Sequence, residues 1–433
     1  MLRTRIRKII EKAIRARFGI HYALPFSVYV PDTNTHGDYS TNAAFLVSQY
    51  AKKLPADCAQ KLAEEMKKDA MFAHVEATSA GFCNIQLSDD MLRKELSVIL
   101  AAGDAYGNLR PLHRAPRTID IEFISANPTG PLTLGNGRGA FIGDALANIL
   151  SRAGCRVTRE YYINDARASA QICELGKTIA GKGKEYKGAY TDEIQRRLKE
   201  RFADMQKLSF EDLGFAAAQE IQKDNKEFIR KKLRIRFDVW YSEEKLYKKR
   251  HIARTLEELG ARNATYGKDG ATWFRSSAFG DSEDRVAVRQ DGAPTYFLPD
   301  VAYHKEKFVE RGFDTVIDIL GADHHGTFPR VSAGLKALGI DPLRVRALFT
   351  QIVRWKKGGK EVKMSKRKGL FVTLEELVDD VSLDAARYFF LEKSPDTHMD
   401  FESERAKEQS VKNPVYYIQY AHARIESIFR KIQ

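Results

Sequence analysis

Residues 131–140 read PLTLGNGRGA, between an apolar strand-like run and an amphipathic helix. Backbone N–H groups at a helix N-terminus attract anions, and glycines let a phosphate come close to them. Gly130, Gly135, Gly137 and Gly139 supply that freedom, while the Thr133 hydroxyl and the Asn136 amide offer donors to phosphate oxygens. A second stretch, KKGGKEVKMSKRKG, is basic and interrupted by glycines. Its Lys363, Lys366 and Arg367 can swing onto a triphosphate and neutralise the charge that develops on departing pyrophosphate. Such chemistry needs no protein nucleophile, only positioning and charge stabilisation around the reacting phosphorus.

Two other phosphate motifs match only in part. Gly135, Gly137 and Ala140 fit the dinucleotide pattern G-x-G-x-x-A, but ISANPTGPLTL separates them from the strand that should lead directly into the first glycine. GKT at 176–178 would complete a Walker loop only with glycine where Gln171 stands. A dinucleotide-dependent enzyme therefore stays a minor alternative. Adjacent His324 and His325 lack an evident third ligand, so no protein-bound transition metal is expected.

Positioning these groups falls to a doubly wound parallel sheet. TIDIEF (118–123), the Gly-rich turn, the helix carrying Ile142, Leu146, Ile149 and Leu150 on one face, Gly154 as its cap and CRVTREYYI (155–163) form its opening. DTVIDIL (314–320) and VRALFTQIVRW (345–355) each read as a further strand. The charged residues 175–290 read as a mostly helical insertion, and the pattern is helical from Leu374 onward. A smaller α/β unit covers 1–103, joined through the Gly-, Pro- and Arg-rich stretch 103–117.

With 433 residues the chain has room for several domains. Its formal net charge of +13 favours a polyanionic partner, nucleic acid foremost. The basic N-terminus continues as an amphipathic helix without a signal-peptide core, and no run approaches the roughly 18 apolar residues of a membrane span. Cys58, Cys83, Cys155 and Cys173 form no Cys-x-x-Cys pair, which fits a reducing cytosol. The expectation is a cytoplasmic monomer.

The Gly-rich turn together with KMSK resembles the class I aminoacyl-tRNA synthetases, and in detail the arginyl-tRNA synthetases. The likeness runs in order through HGDYSTNAAF, GFCNIQL, IEFISANPTGPL, GNGRGAFIGDAL, REYYINDA, FDVWYSE, AFGDSEDRVAVRQDG, TYFLPDVAYHKEK, GADHHG, KMSKRKG, DAARYFFL and NPVYYIQYAHAR. It implies three parts: an N-terminal domain over 1–103 that binds the tRNA D-loop, a Rossmann-like catalytic domain over 115–370, and a helical junction over 371–433. The last would be the start of a C-terminal anticodon-binding domain most of which is absent. Implied partners are tRNA(Arg), L-arginine and ATP with Mg²⁺; no membrane is expected.

By the same resemblance Glu122, Asn127, Tyr296, Asp300 and His324 hold the substrate arginine. A guanidinium is a permanent cation with five donors, so carboxylates and neutral acceptors suit it. Gly135, Asn136, Gly321, Asp323, Met364, Ser365 and Lys366 are implied in ATP binding. Thr133, Asn136, Lys363, Lys366 and Arg367 are implied in catalysis, and Phe82 and Asn84 in tRNA contact. The family pattern has histidines where Thr133 and Asn136 stand; both substitutes keep hydrogen-bond donors but cannot become cationic. The competing reading is a non-catalytic tRNA- or arginine-binding paralogue.

Overall fold

A computed structural model describes residues 2–109, 116–358, 360–361 and 372–432. The Lys363–Arg367 block, Met364 and Ser365 included, lies outside the described residues. Two units separate, Met1–Asn108 and Leu109–Gln433.

In the first unit, helix α1 (Leu2–Phe18) buries Ile6, Ile10, Ala13 and Ile14 at helical spacing, exposes Arg3, Arg5, Arg15 and Arg17, and uses half-buried Arg7 to donate to the Leu24 and Phe26 carbonyls. Strands β1 (Val28–Tyr29) and β2 (Tyr39–Thr41) precede helices α2 (Ala43–Ala51) and α3 (Pro55–Met66). Strands β3 (Phe72–Ala77) and β4 (Cys83–Leu87) complete an antiparallel sheet of order β1-β2-β4-β3, and α4 (Asp89–Ala102) follows. Ser88 caps α4 by accepting from the Met91 N–H.

The second unit is built on five parallel strands. They are β5 (Thr118–Glu122), β6 (Arg156–Ile163), β7 (Val239–Ser242), β11 (Thr315–Gly321) and β12 (Val345–Thr350), in the order β12-β11-β5-β6-β7. The chain winds outward in both directions from the adjacent pair β5 and β11. Such a switch point leaves a crevice at the carboxyl ends of the strands. Helix α5 (Leu134–Arg152) connects β5 to β6 and ends at Gly154, whose φ of +88° suits a residue without Cβ. Helices α6 (Ala170–Ile179), α7 (Ala189–Arg201) and α8 (Phe210–Lys231) pack on their own apolar cluster between β6 and β7.

Beyond β7 come α9 (Glu244–Lys248), α10 (His251–Ala261) and a three-stranded antiparallel sheet of β8 (Thr265–Lys268), β9 (Ala271–Phe274) and β10 (Arg285–Val288). Helices α11 (Phe297–Val309) and α12 (Phe328–Ala337) flank β11 in sequence. A last small sheet joins β13 (Val353–Lys357), β14 (Lys360–Glu361) and β15 (Met399–Glu402), with α13 (Leu374–Val381), α14 (Leu383–Glu392), α15 (Ser403–Lys407) and α16 (Pro414–Ile432) around it.

Four local expectations change. Residues 345–355 form two strands of different sheets, because the Gln351 N–H turns away to bond the Pro395 carbonyl. The 175–290 segment is not mostly helical throughout: β7 belongs to the central sheet, and β8–β10 make their own. The C-terminal stretch is interrupted by β15, where Met399 and Phe401 alternate inward with exposed Asp400 and Glu402. On α5, Ile149 is 65 % exposed, since the helix buries Phe141, Ile142 and Ala147 instead.

Candidate active site

At the carboxyl ends of β5 and β11 lies a cavity of about 1270 Å³. Its first wall begins where β5 ends. Ile124 (φ 67°) and Ser125 (φ 39°) both take left-handed backbone conformations, an outlier for a β-branched residue. Strain of this kind costs on the order of 1–3 kcal/mol per residue and persists only where neighbours hold it. Here the Ser125 Oγ accepts from the Tyr162 N–H at 3.0 Å, the Ser125 carbonyl accepts from Asn164 Nδ2 at 3.3 Å, and the Tyr161 hydroxyl lies 3.2 Å from the Ala126 N–H. The kink carries the chain across the cavity past Asn127, which lines it.

The Gly-rich turn forms the next wall. Thr133 is the residue before α5, and Asn136 reaches back so that its Oδ1 accepts from the Thr133 N–H at 2.9 Å and from the Thr133 hydroxyl at 3.0 Å. A backbone N–H can only face an oxygen, which fixes the amide and leaves its NH₂ as the free end. The Thr133 hydroxyl thus spends its proton on Asn136 in this state. Thr133, Gly135, Asn136 and Gly139 line the cavity. Gly137 does not serve ligand approach: a Cβ there would sit 2.7 Å from Leu374 Cδ1 and 3.2 Å from Phe390 Cζ, so helix packing demands the glycine. The turn is also tied to the chain that follows the Lys-Met-Ser-Lys block, through Leu134 N–H to the Val372 carbonyl (3.3 Å) and Leu374 N–H to the Leu132 carbonyl (2.9 Å).

Opposite, β11 ends at Gly321, where a Cβ would meet Asp323 Oδ1 at 2.4 Å; glycine lets that carboxylate fold back beside the strand. Gly321, Asp323 and His324 line the cavity, and His324 is about half exposed. His325 instead stacks on the Phe349 ring, with centroids 3.7 Å apart. Among the described residues no group of three or more His, Cys, Asp or Glu side chains is arranged to hold a metal.

The floor is ionic. Helix α11 turns Asp300, His304 and Lys307 toward the sheet at helical spacing, and Arg311 continues the stripe just past its end. Lys307, fully buried, lies 2.9 Å from Asp120 Oδ1 and 2.7 Å from Glu122 Oε2. His304 Nε2 lies 2.8 Å from Asp318 Oδ2, and its Nδ1 is 2.7 Å from the Asp300 carbonyl. Arg311 and the Tyr303 hydroxyl both donate to Glu160. Among the described residues the cluster sets five carboxyl groups (Asp120, Glu122, Glu160, Asp300, Asp318) against three cationic groups (His304, Lys307, Arg311).

That imbalance shows in the titrations. Burial pushes Asp300 up to about 7, and the Glu122 and Asp318 carboxylates add to the rise against the pull of His304. Burial likewise lifts Asp120 to about 7, partly offset by Lys307. Burial disfavours charge on Lys307, yet the surrounding carboxylates outweigh it and hold the ammonium well above its ordinary range. Burial opposes the charged form of His304 too, but Asp318 prevails and the shift is upward. Glu122, Asp300 and Asp318 face the cavity together with His304, so carboxyl groups outnumber cationic ones among them.

The cavity brings together Glu122, Asn127, Thr133, Gly135, Asn136, Asp300, Gly321, Asp323 and His324. Tyr296, just before α11, is 69 % exposed and is not among the lining residues. Sequence reasoning missed Lys307, His304, Asp318 and the Ile124–Ser125 kink. The ionisable stripe along TYFLPDVAYHKEKFVER was the available signal for the first two. It also missed Arg138, wholly buried on α5, which donates to the Thr397 carbonyl at 2.6 Å and the Gln351 carbonyl at 3.4 Å and so ties the turn's helix to another lining residue.

In the first unit, Phe82 is half-buried with its ring 4.8 Å from that of Phe45, edge to face. Asn84 is buried, accepting from the Ser40 hydroxyl at 3.0 Å, with its amide nitrogen 3.4 Å from His36 Nδ1. The two do not form one exposed surface.

Comparison with known proteins agrees with this architecture. The family described as tRNA synthetases class I (R), catalytic domain, matches residues 95–429, and the arginyl tRNA synthetase N terminal domain matches residues 4–87. An arginine–tRNA ligase of Geobacillus kaustophilus is 43 % identical over 449 residues, covering 98 % of this chain and 79 % of that one. That of Carboxydothermus hydrogenoformans is 43 % identical over 425 residues, covering 94 % and 75 %. The solved arginyl-tRNA synthetase of Thermus thermophilus shares the fold, with a TM-score of 0.74 at 21 % identity over all of this chain and 82 % of its own. A parallel sheet with a phosphate-type turn at its switch point, a cation-short floor and relatives of this closeness place the chain in the arginyl-tRNA synthetase family, class I enzymes that activate arginine with ATP and load it onto tRNA.

Proposed function

We propose that arginine binds over the ionic floor, its guanidinium between Glu122 and Asp300, with Asn127 and His324 as further polar contacts. ATP lies across the switch point, its triphosphate at the α5 N-terminus against Gly135 and the free amide of Asn136, its ribose toward Gly321 and Asp323. The observation that carries this reading is the surplus of carboxyl groups over cations facing the cavity beside a helix N-terminus. A cationic side chain and an anionic phosphate are complementary to those two walls.

The arginine carboxylate attacks the ATP α-phosphorus, forming the mixed anhydride and breaking the bond to pyrophosphate. The terminal ribose hydroxyl of tRNA then attacks the arginyl carbonyl, with AMP leaving. Asn136 donates to a phosphate oxygen, and Thr133 joins it once its hydroxyl rotates away from Asn136. Lys363, Lys366 and Arg367 neutralise the charge developing on pyrophosphate, and Met364 and Ser365 of the same block contribute to ATP binding; Mg²⁺ arrives on the triphosphate oxygens as part of the substrate. Tyr296 reaches arginine only if its exposed ring closes over the bound substrate. The N-terminal unit contacts tRNA through Phe82, while Asn84 acts from within by ordering Ser40 and His36.

Arginine- and tRNA-dependent ATP–pyrophosphate exchange tests this reading. Exchange should require arginine and be supported by neither lysine nor citrulline. Tight tRNA binding with no exchange would favour the non-catalytic paralogue. Among the described residues no helix is long and apolar enough to cross a membrane.

A further inference from the structure

Lys307 does not line the cavity, yet it sits directly beneath it. Its ammonium lies 2.7 Å from Glu122 Oε2, 2.9 Å from Asp120 Oδ1 and 3.8 Å from both Glu160 Oε1 and Asp318 Oδ1. Arg311 pairs with Glu160 and Asp120, and His304 with Asp318, so among the described residues Lys307 is the cation that serves Glu122.

We propose that Lys307 is a positioning residue for arginine selection: from below the floor it holds the Glu122 carboxylate by Oε2 and so turns Oε1 toward the substrate guanidinium. This rests on the assignment of Glu122 to the arginine pocket. The groups facing the pair are Asp120 on β5, Tyr162 and Glu160 on β6, Asp318 on β11, and Asp300, Tyr303, His304 and Arg311 on or just beyond α11. Without Lys307, the Glu122 carboxylate loses the 2.7 Å contact that fixes its orientation beside the acids Asp120 and Asp318. A guanidinium only donates, so it needs an acceptor oxygen held in place. Arginine binding would suffer, while the ATP wall at Gly135, Asn136 and Gly321 has no contact with this lysine.

The test is Lys307→Met, assayed by ATP–pyrophosphate exchange with saturating tRNA from pH 6 to 9, beside Glu122→Gln. Lys307→Met should raise the arginine KM at least about tenfold at pH 7, the scale of a lost charged partner, with the ATP KM within about twofold. Parallel rises in both KM values would overturn the proposal. If Glu122→Gln raises the arginine KM and Lys307→Met does not, the role of Lys307 fails alone. An unchanged arginine KM in Glu122→Gln removes Glu122 from the pocket and the proposal with it. Should Lys307→Met fail to fold, Asp120→Asn/Lys307→Met removes one buried charge of each sign and carries the same expectations. Failure of both to fold would make the lysine a group that serves the fold, and that too overturns the proposal.

Discussion

Asp300→Asn separates arginine recognition from the other tasks of the cavity. The substitution is nearly isosteric and keeps an acceptor oxygen, but removes the charge that would pair with a guanidinium. A charge-assisted hydrogen bond contributes about 1.5–3 kcal/mol, so arginine affinity should fall by roughly tenfold to 150-fold. The parent enzyme must be measured above pH 7, because its Asp300 carboxyl titrates near 7 and is already half protonated there. In exchange assays at pH 8 with saturating tRNA, the arginine KM should rise by that factor and the ATP KM should stay within about twofold, since a ground-state contact to one substrate has been lost. Stability should move the other way. The folded pKa of Asp300 lies above its ordinary value of 3.8, so ionisation costs the fold stability as pH rises through and beyond that interval. Asparagine carries no such cost. The variant should therefore melt higher than the parent at pH 8, and the gap should close as pH falls toward 4. An unchanged arginine KM, or equal rises for arginine and ATP, would refute the placement of the guanidinium. A lower melting temperature at pH 8 would refute the electrostatic account of the floor.

Asn136→Ala should cut adenylate formation by at least about tenfold, within the usual range for a transition-state donor; parental activity at saturating tRNA would show that the amide carries no catalytic load. Lys366→Ala should lower the rate of adenylate formation far more than it raises the arginine KM, as expected of a group acting on departing pyrophosphate, and a change confined to the arginine KM would exclude that role. Deleting residues 1–103 should raise the KM for tRNA, with Phe82→Ala giving part of the effect if its half-buried ring stacks on an unpaired base. Unaltered tRNA affinity in the deletion would remove the first unit from tRNA recognition.

Local patterns in the chain were enough for the parts whose chemistry is itself local. A glycine-rich turn that opens a helix presents its N–H groups wherever the helix is placed, so Gly135 and Asn136 were legible before any fold was known. The same holds for the sheet: TIDIEF, CRVTREYYI and DTVIDIL carry the Ile, Val, Thr, Tyr and Phe that favour strands, and they became β5, β6 and β11. Asp300 was nameable from the family's motif, though nothing in its neighbours along the chain says that it is half-buried near Glu122, His304 and Asp318.

What only the tertiary structure decided is where charge ends up without water. Asp120, Glu160, Lys307 and Asp318 lie on four elements, with β5 and β6 far in sequence from α11 and β11, and they meet because β6, β5 and β11 are adjacent and α11 packs against them. Ile124 and Ser125 are ordinary strand-end residues until Tyr161, Tyr162 and Asn164 of the next strand and its exit hold them in left-handed conformations. Gly137, legible as a phosphate glycine, is required instead by Leu374 and Phe390 from distant helices. Spacing along a chain records which face a residue occupies on its own element. The desolvation that shifts a pKa, and the partner that restores the charge, come from elements that spacing cannot see.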